Sequence, residues 1–327
     1  MKFDFEVSAY DVQEYLEGPA KEFDSGGDLR FGKVKGNVLN INVDKLPRID
    51  FAIAGPPCPP WSSIGNHGGF NDPRSRVFRA VVDIITRLGA RGDLRGFVIE
   101  NVPGIRKVLP PILKKLVRSG WHVTVTTLNA IDFHTPQARV RSFIVGARRS
   151  CPCVVRPFNT PVVPVMDILA KDMPSVRPED LTDLQQCTLS MHKAKLRALL
   201  VDCKYRGHVV IVDLSRSFGC AWQNMAWQDK CPTLTTSNQY LFVFSLGEQE
   251  VGSIGYDADA FSIHRFISMV ERFSLQGLGF SRFSACTKKQ MLCITGNSIP
   301  VPMLGAVLAN CIEAACSPGT EKRARAE

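Results

Sequence analysis

The chain has 327 residues, room for one large domain or two unequal ones, and its 45% hydrophobic and 22% charged content excludes a disordered or fibrous chain. A formal net charge of +9 favours a polyanionic partner, and eleven cysteines without dense regular spacing point to reduced thiols in an intracellular protein, not a secreted disulfide scaffold. No apolar run reaches roughly 18 residues, so no membrane span is expected, and "MKFDFEVSAYD" lacks the apolar centre of a signal peptide.

In chain order, "FEVSAYD" reads as a strand with an acidic end, "VQEYLEGPAKEF" as a weak helix broken at Pro19, and "IDFAIA", Ile49 to Ala54, as a buried strand. The stretch "GPPCPPWSSIG", Gly55 to Gly65, follows directly. Proline fixes φ and has no N–H, so this is a stiff loop with Cys58 at its centre, leaving the C-terminal end of a strand. A lone cysteine is ordinarily a small apolar core residue. Here the proline cage fits a nucleophile whose sulfur must be held in place, and such a thiol needs cationic or dipolar help to ionise.

Ser75 to Leu88 places Val77, Val81, Ile84, Ile85 and Leu88 near one helical face. "GFVIENV" is a strand ending in Glu100 and Asn101; a carboxylate there is either a cap or ion pair, or an acid facing the crevice beside Cys58. "VLPPILKKLVRSG" is a helix stopped by Gly120, and "HVTVTTLNA" and "RSFIVGAR" are strands. In "PQARVRSFIVG", strand spacing puts Gln137, Arg139 and Arg141 on one side, either as a solvated cationic face or to bind phosphate or a carbonyl. Strands separated by helices predict an α/β fold with a doubly wound, mostly parallel sheet over residues 1–150.

"CPCVVRPFNTPVVPV" reads as a linker, and residues 151–265 as a smaller, irregular β-rich domain containing "HVVIVDLSRSFG" and "YLFVFSLG". Residues 266–318 return to the first domain, with Asn297 and Ser298 as turn and cap residues ahead of an apolar helix opened by Pro300 and Pro302, and 319–327 form a disordered tail. Cys151, Cys153, Cys187 and His192 lack zinc-finger spacing, so no metal is expected.

Taken together and in this order, "GPPCPPWSSIG", "ENV", "QARVR" and "GNSIPVP" resemble the DNA (cytosine-5) methyltransferase family, with "GFNDPRSRVF", "CPTLTTS" and "VERFSLQGLGF" as further matches; Pro59 stands where glutamine is usual, and His134 where glycine is frequent. The resemblance covers nearly the whole chain. It implies a Rossmann-like catalytic domain, a target-recognition domain over 151–265, S-adenosylmethionine as cofactor and double-stranded DNA as partner for a monomeric enzyme. It implies that Cys58 adds to C6 of a flipped-out cytosine, that Glu100 protonates or hydrogen-bonds N3, and that Arg139 and Arg141 hold the base and the nucleophile. Ser62, Asn101 and Gln137 fall to the substrate; Asp11, Asn37, Pro57, Asn297 and Ser298 fall to the cofactor, Asp11 meeting the ribose hydroxyls and Asn37 the adenine in place of the usual aspartate. In the recognition domain, Lys193, Lys195, Arg197, Lys204, Arg206 and "WQNMAW" are candidates for phosphate and base contact.

Three other readings remain open on the residues alone. They are an RNA cytosine methyltransferase on the same domain, a non-catalytic nucleic-acid-binding relative, and a cysteine hydrolase using Cys58 with His67 or His134. Location is the nucleus if the source is eukaryotic and otherwise the cytoplasm. The chain opens on what looks like the family's second strand, so the strand and glycine-rich turn that cradle the cofactor's methionine are expected upstream of Met1. Cofactor affinity of the chain as it stands is therefore expected to be weak or absent, and adding upstream coding sequence should restore it. A cofactor titration of the two forms checks this; tight binding by the 327-residue chain would overturn it.

Overall fold

A computed structural model describes residues 6–7, 30–31, 37–46, 48–62, 69–158, 163–170, 173–201, 209–215, 227–228, 230–245, 264–283 and 286–317. The chain divides into two compact units, the first comprising Met1–Leu128, Val140–Pro157 and Met303–Glu327, the second Asn129–Arg139 and Phe158–Pro302. Expectations for Asp11, Pro19, His67, Lys204, Arg206, Trp222 and the tail fall outside the described residues.

In the first unit a short parallel pair, β1 (Glu6–Val7) and β2 (Arg30–Phe31), stands apart from the main sheet. That sheet has the order β3 (Phe51–Ala54), β4 (Gly96–Asn101), β6 (Val140–Ala147), β5 (His122–Asn129). β3 and β4 are parallel, joined through helix α1 (Ser75–Ala90), while β6 runs antiparallel to β4. The link from Asn129 to Val140 is too short for the crossover of a dozen or more residues that a parallel return needs.

Strand β4 is buried along its whole length, which is why "GFVIEN" reads as a continuous apolar run. One face carries Phe97 and Ile99, packed with Ile144 of β6 against Phe78, Val82, Ile85 and Leu88 of α1. Helix α2 (Leu109–Arg118) adds Leu109 and Leu116 to the same core. It ends at Gly120, whose φ of +80° is the left-handed stop that the glycine predicts. Behind Gly96 and Ala147 lies the end of a long helix, whose buried Cys311 Sγ sits 3.6 Å from the Phe97 carbonyl. That helix is α6 (Val301–Cys316), and it covers the second face of the sheet at β4 and β6, while Ile53 on the edge strand β3 stays exposed.

The second unit is built on an antiparallel sheet in the order β10 (His264–Phe266), β9 (Leu241–Ser245), β7 (Val209–Asp213), β8 (Trp227–Gln228). Alternate residues of β7 and β9 feed two separate cores. Val210, Val212, Phe242 and Phe244 meet Leu181 and Leu189, the latter from helix α3 (Asp183–Val201). Val209, Ile211, Leu241 and Val243 meet Val165, Leu169, Leu234, Ile267 and Leu275. Among the described residues no single helix is long and apolar enough to cross a membrane.

A buried ion pair anchors helix α4 (Met269–Ser274): Arg265 donates to both carboxylate oxygens of Glu271 at 2.7 and 3.0 Å, and Ser268 N and Ala170 N donate to the same carboxylate at 2.8 Å. Burial pushes the Glu271 carboxyl up, but these donors outweigh it and leave the group below its ordinary 4.5. Its stabilisation is thus present at neutral pH and is lost as pH falls from that ordinary value through the lower folded one. Glu271→Gln should cost about 3–5 kcal/mol in urea denaturation, because it strands a buried guanidinium, and should flatten the acid limb of the stability profile. An unchanged acid limb would contradict it.

Candidate active site

The segment Gly55–Pro60 has four prolines, so it offers carbonyls with few N–H groups of its own to satisfy them. The neighbouring chain supplies the donors. Asn101, 1% exposed at the end of β4, donates from Nδ2 to the Pro56 carbonyl at 3.0 Å, and its Oδ1 accepts from Val102 N at 2.9 Å. Trp61 N and Ser62 N both donate to the Cys58 carbonyl at 3.0 Å, turning the chain immediately after the thiol, and Gly69 N donates to the Pro60 carbonyl at 3.1 Å. The Trp61 indole is buried edge-on against Phe70 and Phe78, at centroid distances of 6.2 and 5.3 Å. Pro57, Cys58 and Ser62 are half-buried.

Glu100 lies one residue before Asn101 and so points to the opposite face of β4. Its Oε1 accepts from Arg141 Nε at 2.9 Å, with both side chains largely buried. The antiparallel register sets Glu100 opposite Phe143, so Arg141 is the diagonal neighbour on the same face. The second oxygen, Oε2, is 3.7 Å from where a Cβ on Gly55 would stand, on the side where the Cys58 loop begins. The first unit thus holds Cys58, Glu100, Asn101, Arg141, Pro57, Ser62 and Asn37.

Gln137 and Arg139 belong to the second unit, where both are buried and work on backbone. Gln137 donates to the Leu275 carbonyl at 2.9 Å and accepts from Leu234 N at 3.1 Å. Arg139 donates to the Leu234 and Gly296 carbonyls at 2.8 and 2.9 Å. Arg139 and Arg141, read in the sequence as one face of one strand, therefore have different partners: β6 begins at Val140, and Arg139 still belongs to the preceding connection. Gly296, which Arg139 grips, ends helix α5 (Lys288–Asn297), where a Cβ would fall 2.4 Å from Thr236 N. The exposed Asn297 and the half-buried Ser298, whose hydroxyl donates to the Ile294 carbonyl, come immediately after.

His134 is the one described non-glycine residue with positive φ, +57°, closing the 3-10 turn Ala130–Phe133, with its ring on Phe158 at 4.9 Å. A left-handed position is the physical reason for a glycine there.

Asn37 Oδ1 accepts from Leu39 N at 2.9 Å as the cap of a short 3-10 turn. No group of three or more His, Cys, Asp or Glu arranged to hold a metal occurs among the described residues. Burial pushes the thiols of Cys231 and Cys311 up to about 12, so neither is a nucleophile near neutral pH.

Sequence patterns marked "GFNDPRSRVF", the segment leading into α1, as a family match but assigned no role to its residues. Asp72 accepts from Arg74 Nε at 2.9 Å, Nη2 at 2.6 Å and backbone N at 2.9 Å, and Arg79 stacks over Phe70 at 4.6 Å. Nor did they show the role of Gly104, where a Cβ would sit 2.1 Å from the Trp61 carbonyl. Gly104→Ala should displace the Cys58 loop. Asn101→Asp should set a carboxylate against the Pro56 carbonyl and cost about 1–3 kcal/mol. Urea denaturation measures both, and wild-type midpoints in both would show that the loop is held by other means.

The family model for C-5 cytosine-specific DNA methylases matches residues 28–313. The type II methyltransferase M.FnuDI of Fusobacterium nucleatum is 24% identical over 293 residues, 83% of this chain and 78% of its own length. M.MthTI of Methanothermobacter thermautotrophicus is 40% identical over 113 residues, 33% of each chain. In fold, the Entamoeba histolytica methyltransferase EhMeth superposes with a TM-score of 0.59 at 15% identity, covering 95% of this chain and 90% of its own. The S. pombe Dnmt2 methyltransferase gives 0.55 at 16%, covering 94% and 90%. The chain belongs to the C-5 cytosine-specific DNA methylase family.

Proposed function

We propose that this protein methylates C5 of cytosine in DNA, with Cys58 as the covalent nucleophile. The observation that carries this reading is the pinning of the Cys58 loop to the end of β4, next to a carboxylate held by Arg141.

C5 of cytosine is a poor nucleophile. Addition of the Cys58 thiolate to C6 forms an S–C6 bond and moves the C5–C6 π pair into the ring, with N3 taking a proton or hydrogen bond from Glu100. Arg141 on Oε1 fixes the carboxyl group, so Oε2 is the oxygen assigned to N3. Bound S-adenosylmethionine supplies the electrophilic methyl group that C5 accepts. Loss of the C5 proton to a base then lets the S–C6 bond break, and any proton taken up by N3 returns to Glu100, restoring the aromatic ring and the Cys58 thiolate. The target base must leave the stack first, at a cost of a few kcal/mol. In this reading Ser62 shapes the substrate side, Asn101 holds the Cys58 loop, and Asp11, Asn37 and Pro57 serve the cofactor side. Arg139 serves as a positioning residue, its guanidinium held by the carbonyls of Leu234 and Gly296. The second unit, with Lys193, Lys195 and Arg197, reads the target.

The test is trapping on duplex DNA containing 5-fluorocytosine with S-adenosylmethionine added, since fluorine at C5 blocks the final elimination. Wild-type chain, or a form extended upstream, should give a denaturant-resistant adduct, and Cys58→Ala none. An adduct only on 5-fluorocytosine RNA would move the substrate to RNA and keep the Cys58 chemistry. No adduct on either polymer, with the extended form binding cofactor, would overturn the enzymatic reading.

A further inference from the structure

A thiol of ordinary acidity is mostly protonated at neutral pH, so the nucleophile needs a nearby positive charge. Charged groups on the described elements around the Cys58 loop include Asp72 and Arg74 before α1, Arg76 and Arg79 in its first turns, Glu100 with Arg141 at the sheet end, and Arg106 and Lys107 beyond β4; Arg76 Nε donates to the Pro73 carbonyl at 3.2 Å, and Arg79 lies over the Phe70 ring. Arg141 is committed to Glu100, and Arg106 donates to Thr127 Oγ1 at 3.1 Å.

We propose that Arg74 is the positioning cation of the Cys58 thiolate, with Asp72 as the clamp that fixes its guanidinium. This rests on the reading of Cys58 as nucleophile.

The segment that carries Arg74 is fastened to the thiol's own loop by Gly69 N on the Pro60 carbonyl and by Phe70 and Phe78 against Trp61. Within it, Asp72 takes three donors from Arg74, and Ser75 Oγ donates to the Phe70 carbonyl at 3.0 Å. The guanidinium is therefore preorganised, which a lone surface arginine is not. Hydrogen bonding to Asp72 holds Arg74 above its ordinary value, opposed by partial desolvation, and the charges of Asp72 and then Cys58 add to the attraction. By reciprocity, a thiolate that favours the guanidinium is favoured by it. The Arg74 side chain is 50% exposed, so the effect is screened and modest.

The test is the pH dependence of Cys58 alkylation by iodoacetamide, read at the Cys58 peptide by mass spectrometry. It needs neither cofactor nor nucleic acid, so its failure is distinct from failure to trap an adduct. Arg74→Gln should raise the midpoint by about half a pH unit, a threefold slowing near neutrality, as expected for the loss of one partly screened charge. Arg74→Lys should recover most of the shift, and Arg79→Gln, which removes an equal charge from the next turn of α1, should leave the midpoint in place. In the wild type the midpoint should rise as salt goes from about 0.05 to 1 M, a reading that requires no variant to fold. A wild-type midpoint in Arg74→Gln, an equal shift in Arg79→Gln, or no salt dependence would each overturn the assignment.

Discussion

The hydrogen bond from Asn101 to the Pro56 carbonyl is the constraint on which the rest of the site depends. It ties a loop with almost no donors of its own to the end of a strand buried on both faces. Proline rigidity fixes φ at four positions, but it does not say where the loop goes, because a stiff loop without external donors would turn its carbonyls to water. Asn101 supplies the missing donor from inside the core, and the N–H groups of Trp61, Ser62 and Gly69 supply the others. The sulfur's position is thereby inherited from β4, whose place is set by Phe97 and Ile99 against α1.

The same strand separates two tasks by the period of the sheet. Asn101 faces one side and holds the loop; Glu100 faces the other and is held by Arg141. A shift of register by one residue would exchange them, placing a carboxylate against the Pro56 carbonyl and an amide beside Arg141, and both contacts would fail. The buried pair of antiparallel strands β4 and β6 fixes that register along six residue pairs, so the chemistry at the strand end depends on packing well away from it.

Much of this was legible in the sequence. The buried strands "FAIA" and "GFVIEN", the amphipathic Ser75–Ala90 helix and the proline cage all declare themselves through apolar period or forbidden backbone geometry. What was not legible has a common cause: it depends on partners far away in the chain. Gln137 and Arg139 look like a cationic strand face, yet their partners are the carbonyls of Leu275, Leu234 and Gly296, more than ninety residues on. Gly104 looks like an ordinary turn glycine until the Trp61 carbonyl is found where its side chain would be. His134 shows the reverse case: its +57° φ is the physical reason that a glycine is frequent at this place, which the sequence alone did not give.

The second unit uses buried cations in the way the first uses a buried amide. Arg139 reaches the Leu234 and Gly296 carbonyls, and Arg272 reaches those of Asn238 and Thr235, at 2.8 and 3.2 Å. Residues 232–240 have little regular secondary structure, so their carbonyls lack ladder partners and would be costly to bury alone. A guanidinium answers several such carbonyls at once with donors in a fixed plane, which an ammonium cannot do. Substituting lysine at either position would keep the charge and lose the geometry. These arginines are therefore better understood as the framework of an irregular segment than as charges awaiting an anion.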